Sequence, residues 1–235
     1  MRRLLAALRW EAVLQARGQF YTLTAVVAVV WIVLVRLLPA GLRTNPEAIA
    51  PAFTAVNLQV TAFFFVTALV LLEKSQGALR ALVVSPLRPS EYLGAKVLSL
   101  AALGTAENAV IVAAVFGVDA QWGWLLLGMA LLGAIHVLLG LVVIARYDSI
   151  NTFLMPSVVI ILALSAALLG YYEVVPPWML AWHPVLPPLV LMRAGWMPLE
   201  WSQFAYGLLG SAAWIGLLSV WARRRFVHLI APSMA

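Results

Sequence analysis

Few side chains in this sequence are equipped for chemistry, and they gather in two places. Glu107 and His136 sit alone inside long apolar runs, while the stretch from Leu71 to Lys96, LLEKSQGALRALVVSPLRPSEYLGAK, interleaves Glu73, Lys74, Arg80, Arg88, Glu91 and Lys96 with Leu79, Leu82 and Leu87. What is missing narrows the chemistry further. There is no cysteine, so disulfides, thiolate metal sites and thiol nucleophiles are excluded, and the redox compartment is not legible. No G-x-x-x-x-G-K-[ST] phosphate loop occurs; the nearest glycine spacing, Gly128 to Gly133, is followed by Ala134 inside an apolar run. Nor is there a G-x-S-x-G elbow, an H-E-x-x-H pair or a close carboxylate cluster. The chain is therefore expected to hydrolyse no ATP, to catalyse no reaction of its own and to hold neither metal nor cofactor.

An ionisable group in lipid costs about 2.5 to 3.5 kcal/mol on insertion scales, so Glu107 and His136 are expected to face protein or a wet cavity. Counted from the ends of the helical hairpin that joins their two runs, they lie ten and thirteen residues deep, or about 15 and 20 Å at 1.5 Å per residue. That is close enough to pair. Two readings follow. Glu107 lines a path for a cationic or amphipathic substrate, with His136 as its partner or proton-sensitive neighbour; or Glu107 is a neutral group hydrogen-bonded within the hairpin and His136 a satisfied buried imidazole. Asn57, Asn108 and Asn151 add polarity, and Gly123, Gly128 and Gly133 permit close helix approach.

The elements that position these groups follow from composition. Of 235 residues, 64% are hydrophobic and 10% charged, with a mean hydropathy of +1.00. That is too little charge for a water-exposed surface, so lipid solvates most of the chain. Six runs near the ~20 residues a bilayer requires read as spans: Phe20 to Leu38, Phe53 to Leu72, Gly94 to Gly117, Gly123 to Ala145, Phe153 to Tyr171 and Phe204 to Trp221. Residues 1–17 place Leu4, Leu5, Leu8, Ala12 and Val13 on one face and Arg2, Arg3, Arg9, Glu11 and Arg17 mostly elsewhere. This is the pattern of an amphipathic helix in the inner interface. A signal peptide is the alternative; a spanning-length run with no small-residue cleavage site after it argues against cleavage.

With loops assigned alternately, Arg2, Arg3, Arg9, Arg17, Lys74, Arg80, Arg88, Lys96, Arg146, Arg223, Arg224 and Arg225 fall on one side, and Arg36, Arg43 and Arg193 on the other. The net charge of +6 therefore reads as a topology signal toward anionic lipid, with no nucleic-acid partner. It places both termini in the cytoplasm and the chain in the inner (plasma) membrane. Residues 172–203 are too polar and proline-broken to cross, and carry Trp178, Trp182, Trp196 and Trp201. They read as short interfacial or re-entrant helices on the outer face, or as an ordinary outer loop touching the membrane. The fold class is an all-α membrane protein, one domain over 1–235.

Within Leu71 to Lys96, Ala78, Leu79, Leu82 and Val83 recur at helical spacing, predicting a short surface helix over Ser75 to Val84. Pro86 and Pro89 end it, and a new helix starts near Ser90 and continues into span three. Many basic helices of this kind are only lipid anchors. The wording here is more specific. Glu73, Lys74, Gly77, Leu79, Leu82, Ser85-Pro86-Leu87-Arg88, Glu91-Tyr92-Leu93 and Lys96 closely resemble the signature loop of ABC-2-type transporter permeases, roughly E-[RK]-x-x-G-[TA]-L-E, then [ST]-P-[LV], then E-[YF]-L-x-x-K. Arg80 stands where that pattern often has glutamate. The six-span order, the amphipathic N-terminal helix and the helical outer segment match as well, and within the family the chain looks most like the compact drug-export permeases of the fluoroquinolone-export type.

The resemblance implies a half-transporter that pairs with a second copy or a similar permease and recruits a cytoplasmic ABC ATPase subunit, in which ATP and Mg are bound. Residues 73–93 become a coupling loop carrying a coupling helix, seated in a cleft of that ATPase. Glu73, Lys74, Arg80, Arg88, Glu91 and Lys96 would make polar contacts with the motor or lipid, Leu79, Leu82 and Leu87 would pack, and Pro86 would stiffen the lever. The implied activity is outward export of a small, drug-like amphipathic compound. The alternatives are lipid, glycan, peptide or haem-related cargo on the same architecture, or a non-transporting membrane scaffold or sensor for an ATPase.

Overall fold

The computed structural model describes residues 2–79 and 87–230, and every regular element among them is helical. In chain order these are α1 (Arg2–Arg17), α2 (Phe20–Leu37), α3 (Ala40–Arg43), α4 (Pro46–Leu58), a π turn (Gln59–Phe64), α5 (Phe65–Ser75), α6 (Pro89–Phe116), α7 (Trp122–Ile144), α8 (Ile150–Ser165), α9 (Ala167–Tyr171), α10 (Pro177–Leu180), α11 (Leu186–Met192), a 3-10 turn (Arg193–Gly195) and α12 (Trp201–Ile230). Six stretches are long and apolar enough to cross a bilayer: Phe20–Leu37, Pro46–Ser75, Pro89–Phe116, Trp122–Ile144, Ile150–Tyr171 and Trp201–Phe226. The chain is a multi-pass, all-α membrane protein. Because successive spans reverse direction, α1, the residues after α5, the α7–α8 turn and the end of α12 share a basic end. The α6–α7 turn and α9 to α11 share the opposite end.

Two spans start earlier than their apolar runs. Pro46 and Pro89 each take the first position of a helix, where a missing N–H costs nothing and a fixed φ helps. They extend span two by about two turns and span three by about one and a half, and Pro51 follows inside α4. The second and fourth spans are largely buried, whereas the first, fifth and sixth turn most of their surface outward. Val26, Val29, Val30 and Val33 on α2, and Met155, Val159 and Leu162 on α8, are exposed. An apolar exterior of this kind is what lipid requires.

Small residues set the central packing. A side-chain carbon added at Gly140 of α7 would lie 2.4 Å from Val66 Cγ1 and 2.9 Å from the Phe63 carbonyl, and one added at Gly128 would lie 2.4 Å from Met192 Cγ. Only glycine allows these approaches. The contact at Gly128 settles the character of the segment before the last span. Val185, Leu186, Leu189, Leu191 and Met192 are all buried, and α11 packs against both α7 and α12. This part is a wedge inside the bundle, ringed by the exposed Trp178, Trp182 and Trp201, and not a loop resting on its surface.

Candidate functional site

Lys96 lies seven residues into α6, about 10 Å along the helix, and none of its side chain is exposed. Its Nζ donates to both carboxylate oxygens of Glu11 on α1, at 3.0 and 3.3 Å, and to Glu73 Oε1 at the end of α5, at 2.8 Å. Tyr92, one turn earlier on α6, donates its hydroxyl to Glu73 Oε2. The Tyr92 ring lies 4.9 Å from the ammonium, and Phe226 of α12 stacks on that ring with centroids 4.8 Å apart. One turn beyond Lys96, Gln15 of α1 donates to Ser99 Oγ at 3.0 Å. Four elements thus meet at one buried ammonium. The resemblance placed Glu73 and Lys96 against a motor or lipid; here each engages the other inside the chain. A buried ammonium demands paired, hydrogen-bonded carboxylates.

Glu11 carried no functional expectation, and a weak signal for it exists. Leu4, Leu8, Glu11 and Gln15 follow a 4-3-4 spacing that forms one row on a helix, and this row turns toward α6 while Leu5 and Trp10 stay exposed. An acid within a leucine row needs a partner on the facing helix. With two carboxylates around one ammonium, the cluster carries an excess negative charge. Desolvation pushes the Glu11 carboxyl above its ordinary range, Lys96 pulls it back, and the Glu73 charge pushes it up again.

The rest of the loop root divides into fastened and free groups. Lys74 pairs with Asp148 and donates to the Tyr147 carbonyl at 3.3 Å, which ties the end of α5 to the α7–α8 turn. Leu79 is buried and, with Leu87, Ala7, Trp10 and Tyr92, lines a cavity of about 90 Å³ between α1 and the loop. Glu91 accepts the Arg88 backbone N–H at 2.9 Å, so its carboxylate caps the start of α6, while the Arg88 side chain is exposed. Arg80, Leu82 and Pro86 lie outside the described residues.

A second group lies deeper. Thr54 and Asn57 of α4, Thr61 of the π turn and Glu107 and Asn108 of α6 are all buried. They form a polar seam between spans two and three, where Gly104 lets Leu58 approach to 2.6 Å of an added side-chain carbon. Asn57 Nδ2 donates to Asn108 Oδ1 at 3.2 Å, Asn108 Nδ2 to the Gly104 carbonyl at 2.8 Å, and Thr61 Oγ1 to the Asn57 carbonyl at 3.2 Å. Each of these amide nitrogens spends one of its two N–H groups in these bonds. Both Glu107 oxygens, Asn57 Oδ1 and Thr54 Oγ1 are left without a hydrogen-bond partner. Buried acceptors without donors are costly, and a cationic or N–H-rich ligand would satisfy them.

His136 is hydrogen-bonded within its own helix. Its Nδ1–H donates to the Leu132 carbonyl at 2.9 Å, its Nε2 is buried without a partner, and no hydrogen bond or ion pair joins it to Glu107. Equal depth along two helices does not by itself orient two side chains for a bond. The feature that builds the seam, the π turn, has no sequence signature; such wide turns often mark functional sites in helices.

Comparisons with known proteins bear on the chain as a whole. Two proteins of Mycobacterium tuberculosis, from strains CDC 1551 and H37Rv, are each named a fluoroquinolones export permease protein, and each is 28% identical over 208 residues, 88% of this chain and 86% of theirs. The model of the fluoroquinolones export permease protein family matches residues 2–233, all six spans included, and the chain belongs to that family.

Proposed function

We propose that the chain is the membrane subunit of an ATP-binding-cassette exporter. It pairs with a second copy or a similar permease and is driven by a cytoplasmic ATPase subunit that binds ATP and Mg. The termini and the 73–93 loop face the cytoplasm across the inner membrane, a reading supported by the basic residues at that end. The observation that carries the proposal is the Glu11–Lys96–Glu73–Tyr92 cluster. It fastens the root of the loop and α1 to the same turn of α6, so a motor that displaces the loop displaces α6. Helix α6 is unbroken for 28 residues, and Glu107 lies eleven residues, about 16 Å, further along it. A push at the loop therefore reaches the acceptor-rich seam.

The cargo is a small, drug-like amphipathic compound whose cationic or N–H-bearing part enters that seam. The names of the relatives make a fluoroquinolone the first cargo to test. Inverted vesicles holding the chain and its ATPase partner should accumulate the drug only with ATP. The purified chain alone should hydrolyse none. Glu107→Gln should reduce uptake of cationic compounds more than of neutral ones of similar size. Equal effects on both would remove Glu107 from the path, and uptake without the ATPase would overturn the subunit assignment.

A further inference from the structure

At the end of the bundle opposite the basic one, the wedge of α11 leaves an opening of about 340 Å³ between α9, α10, α11 and the first turns of α12. Tyr171, Trp178, Leu186, Val190 and Tyr206 wall it. The Tyr206 hydroxyl donates to the Ala181 carbonyl at 2.7 Å, which pins α12 to the α10–α11 connection and fixes that wall. Two opposite charges also line the cavity, Arg193 and Glu173. Glu173 holds the left-handed backbone conformation, with φ of 55°, which residues other than glycine seldom adopt.

Arg193 is the informative group. It is half-buried and stands over the Tyr171 ring, 5.8 Å from its centroid. Among the described residues its guanidinium makes no hydrogen bond and no ion pair. A guanidinium stacked on an aromatic face keeps its planar edge of N–H donors free, and that edge matches a carboxylate bidentately. The volume falls in the range that receives small drug-like molecules.

We infer that this cavity binds an aromatic amphiphile carrying a carboxylate, with Arg193 on the acid, Tyr171, Trp178 and Tyr206 around the ring system, and Glu173 within reach of any amine on the same molecule. The inference rests on the exporter reading, in which this end is the release side. It also complements the seam. The seam has acceptors without donors, and this cavity has a donor edge without an acceptor, so a molecule bearing both charges meets its opposite at each end of the path.

The test is direct binding to the purified full chain in maltoside micelles, read by quenching of tryptophan emission. The probes are anthracenecarboxylate and its neutral counterpart anthracenemethanol. The carboxylate should bind saturably. Arg193→Gln should weaken it by about tenfold or more, the loss expected for a charge-assisted bidentate contact, and should leave the neutral probe unchanged, which also shows that the variant is folded. Arg193→Lys, which keeps the charge and loses the fork, should fall between. Ser202→Trp, which fills the cavity from the exposed first turn of α12, should remove both probes.

Wild-type affinity for the carboxylate in Arg193→Gln overturns the inference. So does displacement of the probe by short-chain phosphatidylcholine that binds more tightly than the probe does, because the cavity is then a lipid headgroup site. No ATPase enters this experiment, so a negative result falls on the cavity alone. Intact binding together with absent ATP-driven uptake would fall on the exporter reading instead.

Discussion

At Lys96 a cation with no exposed atom is shared by two carboxylates, and the asymmetry of that arrangement makes its members unequal under mutation. Lys96→Met leaves Glu11 and Glu73 facing each other without compensation, a change that costs about 3 to 5 kcal/mol for a broken buried pair. The melting temperature in detergent should fall steeply. Glu11→Gln leaves Lys96 and Glu73 as a one-to-one pair and should be tolerated. The same reasoning gives a pH signature. The folded chain holds the Glu11 proton more tightly than the unfolded one, so stability linked to this group is present at low pH and is lost as pH rises from the ordinary carboxylate range through the raised value. Wild type should therefore lose melting temperature relative to Glu11→Gln as pH is raised across that window. A constant difference between the two would mean that Glu11 carries no excess charge.

Among the helices, α6 joins the loop to the seam, and its first turn shows why two neighbouring charges differ. Arg88 is exposed, whereas Glu91 caps the helix by accepting the Arg88 N–H. Charge reversal at Glu91 should cost about 1 kcal/mol of chain stability through the lost cap. Reversal at Arg88 should leave the melting temperature unchanged and weaken co-purification of the ATPase; unchanged co-purification would mean that Arg88 faces lipid or solvent.

Much of this element scale was legible beforehand. Apolar run length marks all six spans, and the proline rule puts the start of α6 within a residue of Ser90. Three features were not legible. The buried wedge of α11 is made by Gly128 and by glycines on α12 meeting it, which a window of hydropathy does not register. The inward face of α1 looks polar because it contains Glu11 and Gln15, both buried. The expected pairing of Glu107 with His136, for which no bond forms, came from depth alone, and rotation about the helix axis decides which side a residue faces. At the cluster, the residue types Glu73, Tyr92 and Lys96 were quoted from a motif, but their mutual contact, and the arrival of Glu11 from α1, are properties of three segments folded together.

For the whole molecule, the distribution of basic residues predicts that a reporter fused at Arg225 and one placed between Pro176 and Trp196 read opposite sides of the membrane, with Arg225 inside. An outside reading at Arg225 would reverse the assignment of every loop, and with it the placement of the ATPase. The π turn at Gln59–Phe64 has a further consequence at this scale. A π turn amounts to one residue inserted into an α-helix, so the two halves of span two are out of phase by about 100°, the angle one residue occupies at 3.6 per turn. Val60 is partly exposed to lipid, and deleting it removes no core side chain. The deletion should restore a regular helix and swing Thr54 and Asn57 away from Glu107, while the basic end, with its Glu73 anchor, stays in place. The chain contains no cysteine, so a thiol pair introduced at Asn57 and Asn108, whose side chains now meet at 3.2 Å, reports the phase without background. The pair should cross-link in the full-length span and fail to do so when Val60 is deleted. A single codon gained or lost would thus make or erase the seam while leaving six spans intact.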